Sequence, residues 1–64
     1  MDQKTLKAFL MKHNLSEPEF AKIIGVTPGA VNHWMTGKRQ PSLTISRLVK
    51  LFDIEPGLMK VFAA

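Results

Sequence analysis

Ser16-Glu17-Pro18-Glu19-Phe20-Ala21-Lys22-Ile23-Ile24-Gly25-Val26-Thr27-Pro28-Gly29-Ala30-Val31-Asn32-His33-Trp34-Met35-Thr36-Gly37 is the stretch that decides the fold. Ser16 and Glu19 form a capping box: the hydroxyl serves an orphan amide and the carboxylate reaches back. Pro18 fits a first helical turn, where its missing N–H is not needed. Phe20, Ala21 and Ile24 share one face. Gly25, free to take positive φ, stops this helix. Only Gly25 and Val26 precede Thr27, which can cap a second helix with Pro28 in its first position. Ala30, Val31 and Trp34 face inward there, and Gly37 closes the helix at about residue 36.

Two helices of about eight and nine residues joined by so short a turn must cross steeply, which is the helix-turn-helix arrangement. Val26 tucks under the pair, and the small Ala21 lets the helices approach closely. Val31 and Trp34 anchor the second helix against the first, the i+3 spacing placing both on one buried face. The opposite face carries Gly29, Asn32, His33 and Thr36, with no acid and no bulky apolar side chain. A helix with such a face can lie in a major groove about 12 Å wide.

The flanking sequence extends the helical reading. Leu6, Phe9 and Leu10 recur at helical spacing and predict a helix over about residues 3–13. Asp2 or Thr5 can cap it, and His13-Asn14 ends it. After the polar loop Lys38-Arg39-Gln40-Pro41, Ser42 caps a fourth helix whose apolar stripe is Ile45, Leu48, Val49 and Phe52. Asp53 is read as its exit. Glu55-Pro56-Gly57 opens a short fifth helix with Leu58, Met59, Val61 and Phe62. No stretch alternates cleanly, so no strand is expected. The expected architecture is all-α: a compact five-helix bundle, one domain over residues 1–64.

Composition narrows the function. The chain has 64 residues, 45% apolar and 22% charged, too balanced for a disordered tail and too short for a second core. With no cysteine there is neither a disulfide nor a thiolate metal site. No apolar run approaches the roughly 18 residues of a membrane span. Asp2, Lys4, Lys7 and Lys12 interrupt the N-terminus, so no secretory signal is read there and the expected location is cytoplasmic. Ser16, Ser42 and Ser46 lack a paired His and acid, and there is no glycine-rich phosphate loop. No catalytic activity is expected. His13 and His33 have no carboxylate or Cys at ligand spacing, so neither metal nor cofactor is expected. The net charge of +4 is unevenly placed: residues 26–50 hold Lys38, Arg39, Arg47 and Lys50 and no acid. A basic concentration of this kind points to a polyanionic partner.

Ser16-Glu17-Pro18-Glu19-Phe20-Ala21, Gly25-Val26-Thr27, Val31, Trp34 and Gly37, with Arg39-Gln40-Pro41-Ser42 beyond them, resemble the Cro/repressor-type (XRE-like) helix-turn-helix family of phage and bacterial transcription regulators. The resemblance covers essentially the whole chain. It implies a lambda-repressor-like DNA-binding domain, a sequence-specific regulator and in particular a repressor. The departures are Glu17 where the family usually has Gln, Met35 where it often has a polar residue, and Asp53 where it usually has Gly. The segment after Pro41 is also one residue short of the family pattern.

The DNA-facing set expected on this basis is Thr27, Pro28, Gly29, Asn32, His33, Thr36, Lys38 and Arg39. Asn32 can bond an adenine bidentately. His33 can meet a base edge or a phosphate. Lys38 and Arg39 fall where a backbone strand would pass and would hold phosphates. Trp34 is read as core, and Arg47 and Lys50 as surface charges. Leu58, Met59, Val61 and Phe62 exceed what one short helix can bury, so they are the expected homodimer contact. The implied partner is a palindromic double-stranded DNA operator, bound cooperatively by a weak dimer. The alternative is a protein-binding module on the same fold, an antitoxin or anti-repressor, which Glu17 and Met35 favour and the acid-free segment does not.

Overall fold

A computed structural model, describing residues 1–63, contains α1 (Gln3–Lys12), α2 (Glu17–Ile24), α3 (Pro28–Met35), α4 (Leu43–Ile54) and α5 (Leu58–Ala63). There is no strand among the described residues. Four of the five helices start at a side-chain cap. The Asp2 carboxylate accepts from the Thr5 amide at 2.8 Å. The Ser16 hydroxyl accepts from the Glu19 amide at 3.2 Å while Glu19 accepts from the Ser16 amide at 2.9 Å. Thr27 and Ser42 accept from the amides of Ala30 and Ile45 at 3.2 and 3.3 Å. Each such cap is worth about 1 kcal/mol, and together they define where helices start in a chain with little core to spare.

The stops are equally local. Asn14 takes φ 54° after α1, and Gly25 takes φ 76° after α2. α3 ends one residue before the expected position, with Thr36 as its C-cap and Gly37 at φ 78° beyond it. Asp53 is not the exit of α4, contrary to expectation. The helix runs on to Ile54 with Glu55 as its cap, and the Asp53 carboxylate is engaged elsewhere. Its oxygen lies 2.9 Å from Lys12 Nζ and 3.0 Å from His13 Nε2, tying the end of α1 to the end of α4.

The core is Leu6, Phe9 and Leu10 of α1, Phe20 and Ala21 of α2, Val31 of α3, and Val49 and Phe52 of α4. Phe9 meets Phe20 edge-on at 5.9 Å between ring centres, a favourable aromatic geometry. α5 adds no fully buried residue; Leu58 and Met59 pack half-buried against the core. α2 packs against both α3 and α5, and α1 against α3. α3 is therefore held from behind by two helices.

Candidate functional site

The α2–α3 unit is built around Gly25. Its amide and that of Val26 both donate to the Ala21 carbonyl, at 2.9 and 3.0 Å, closing α2 and reversing the chain within two residues. A Cβ on Gly25 would meet nothing within 4 Å, so only its left-handed backbone demands glycine. Ala21, almost wholly buried, presents a single methyl at the crossing. Thr27 then opens α3.

Val31, fully buried, fixes how α3 is rotated. Ala30, Trp34 and Met35 are half-buried beside it, with Trp34 and Met35 packed against the core. Trp34 is thus a flank of the core rather than its centre. Met35 is likewise a packing residue and not an apolar contact displayed outward. Gly29, Asn32 and Thr36 are exposed on the other side, and His33 is half-buried at the edge of that face rather than fully outward. The exposed row has no carboxylate.

The polar groups of this row differ in what they have left to offer. The Thr27 oxygen accepts from the Ala30 amide, so its own O–H proton remains free to donate. Pro28 has no amide, and the exposed Gly29 contributes one of the orphan donors of a first turn. Thr36 has already committed its proton to the Asn32 carbonyl at 3.0 Å, with the His33 carbonyl at 3.4 Å. Thr36 can therefore only accept. Beyond it, the Arg39 amide donates to the His33 carbonyl at 3.2 Å. That bond folds the loop, with the exposed Lys38 and Arg39, back on the end of α3. The Gln3 side chain lies directly over Gly37, bracing the same loop from α1.

Of the two acids of the unit, both on α2, Glu19 is engaged by the capping box. The Ser16 amide and hydroxyl hold the Glu19 carboxyl below its ordinary range. Glu17 is half-buried in the first turn of α2, where the helix dipole favours its charge. Arg47 and Lys50 are exposed on α4. No group of three or more His, Cys, Asp or Glu side chains converges as a metal site among the described residues, and no helix there is long and apolar enough to cross a membrane.

Of the four C-terminal apolar residues, Leu58 and Met59 turn toward the core, whereas Val61 is 70% and Phe62 48% exposed. Phe62 still stacks edge-on against Phe52, 5.0 Å between centres. Two features escape a reading of the sequence. The Gln3–Gly37 contact and the Lys12–His13–Asp53 cluster both join distant parts of the chain, and no local signal announces either.

A family model described as helix-turn-helix matches residues 6–58, from α1 to the start of α5. No curated protein and no solved structure matches the chain.

Proposed function

The chain belongs to the Cro/repressor-type (XRE-like) helix-turn-helix family of DNA-binding regulators, and on that premise we propose that it is a sequence-specific repressor, one domain in extent, that lays α3 along the major groove of a palindromic operator. It would act in the cytoplasm of a bacterium, encoded by the host or by a phage. The observation that carries the reading is the carboxylate-free outer row of α3 with Lys38 and Arg39 pinned at its end by the Arg39–His33 backbone bond. In this reading Asn32 and His33 address base edges. Thr27, Gly29, Lys38 and Arg39 donate to phosphates, Pro28 preorganises the first turn, and Thr36 accepts.

The test is titration of duplex DNA at several salt concentrations. Each phosphate neutralised releases about 0.9 counterion, so affinity should fall steeply as salt rises. Replacing Lys38 or Arg39 with Ala should weaken binding to all sequences and reduce the slope by about one. Asn32→Ala should instead cost about 1–3 kcal/mol at the operator and relax its specificity. A second reading, a protein-binding module, is favoured by Glu17, an acid at the start of α2 where the family usually has Gln. A flat salt response would select it.

A further inference from the structure

We propose that the groove between α1 and α4 is a second interaction surface, one that docks an acidic amphipathic helix of a partner protein. The groove has a volume of about 640 Å³. Thr5, Ala8 and Lys12 line it from α1, and Leu43, Ser46 and Lys50 from α4. These positions recur every three or four residues, so each wall is one stripe of a helix. α1 is ten residues long, about 15 Å, enough to hold between two and three turns of a docked helix.

The floor and the rim specify the occupant. Phe9 and Val49 form the floor and are themselves almost wholly buried, so the groove is a shallow trough and not an enclosed cavity. A trough with helical walls suits the apolar stripe of a helix. Leu43 stands at the rim 65% exposed, an apolar side chain with nothing over it. The charges are unequal. Asp53, the one carboxylate in the lining, is already paired with Lys12 and His13. Lys50 has no carboxylate within ion-pair distance among the described residues, and Arg47 beside it on the exposed side of α4 has none either. The surface therefore offers apolar area with uncompensated positive charge along one edge. A leucine-type stripe flanked by Glu or Asp is its complement, and such complementarity sets specificity and speeds encounter. No groove residue belongs to the α3 face, so a partner could dock here while DNA is bound.

The probe is a capped synthetic helix with Leu at three- and four-residue spacing flanked by Glu, titrated into isotope-labelled protein and followed by amide chemical shifts. Saturable shifts confined to α1 and α4 are expected. A counterpart with Lys in place of Glu should bind at least about tenfold more weakly. Ala8→Glu, which blocks the trough, and Lys50→Glu, which reverses its edge, should each weaken the Glu helix by about tenfold. Both positions are exposed, and amide dispersion checks that each variant is folded; if one is not, the other decides. Absence of saturable shifts, shifts centred on α3, or equal binding of the Lys counterpart would overturn the proposal. Phosphatidylglycerol vesicles that bind as tightly as the Glu helix, with the same loss in both variants, would also overturn it in favour of an anionic membrane surface.

Discussion

At Gly25 the backbone, and not the space around it, excludes a side chain. Its φ of 76° costs an L-residue roughly 1–2 kcal/mol, and no neighbour adds a clash. Gly25→Ala should therefore lower stability by about that amount without abolishing folding, as read by urea denaturation. A loss well above it would mean that the α2–α3 crossing shifts when the turn is strained. Trp34 fails differently. The spacing from Val31 places it against the core, yet it remains half-buried, so truncation removes less packing than a wholly enclosed ring would. Trp34→Ala should cost about 2–3 kcal/mol, below the usual range for a fully buried Trp. Denaturation decides this too, and an unchanged midpoint with lost DNA binding would recast Trp34 as a contact residue. The two threonines of α3 make the same point about single atoms. Thr27 keeps a proton to give and Thr36 does not, a difference that residue type alone hides.

Between elements, the clearest device is the Asp53 carboxylate joining the ends of α1 and α4. Hydrogen bonds from His13 first, then Lys12, hold its pKa below the ordinary carboxylate value. Asp2 and Glu19 are lowered likewise by the amides they cap, those of Thr5 and Ser16. A lowered folded-state pKa means that the ionised form favours folding. The stabilisation is complete above the unfolded carboxylate value of about 4 and is lost as pH falls through the lower folded values. Denaturation midpoints should hold from neutral pH to about 5 and fall below about 4. Asp53→Asn should be less stable at neutral pH and show a shallower acid limb. An acid limb of unchanged slope would remove the α1–α4 link from the explanation. This cluster also marks where the sequence stops being legible. Ser16, Glu19, Gly25, Thr27 and Ser42 act on amides or dihedrals within four residues, so helix starts and stops can be read directly. Asp53 near the end of an apolar run reads by the same local logic as an exit. Its actual partner lies 40 residues away, and nothing nearby in the chain points to it. The half-buried places of His33 and Met35 were hidden for a related reason: they depend on how Val31 rotates α3 against two other helices. The α1–α4 trough exists only once both helices are placed.

For the whole molecule, size constrains how two copies can share an operator. The protein measures 29 × 21 × 20 Å. Recognition helices on half-sites one turn apart lie about 34 Å from each other, so two such bodies on one face of the duplex can touch only over a small patch. A patch well under about 1,200 Å² gives weak association. Part of the exposed apolar surface lies on α5 and the last turns of α4. Val61 and Phe62 remain exposed on α5, and Leu51 and Ile54, 45% and 79% exposed, sit in the last turns of α4, against which Phe62 stacks. Leu58 and Met59 are partly spent on the core and should contribute less. The free protein should therefore be mostly monomeric at micromolar concentration, and two protomers should load cooperatively on a palindromic duplex. Phe62→Ala should reduce cooperativity more than half-site affinity, with some loss of stability from the Phe52 contact. Val61→Glu separates the two effects, because Val61 is 70% exposed: stability and half-site affinity should hold while cooperativity falls. Sedimentation with and without duplex reads the stoichiometry, and titration of full and half sites reads the coupling. A tight dimer without DNA, or one protomer per full site, would mean that the apolar end of α5 does no more than close the core of a single chain.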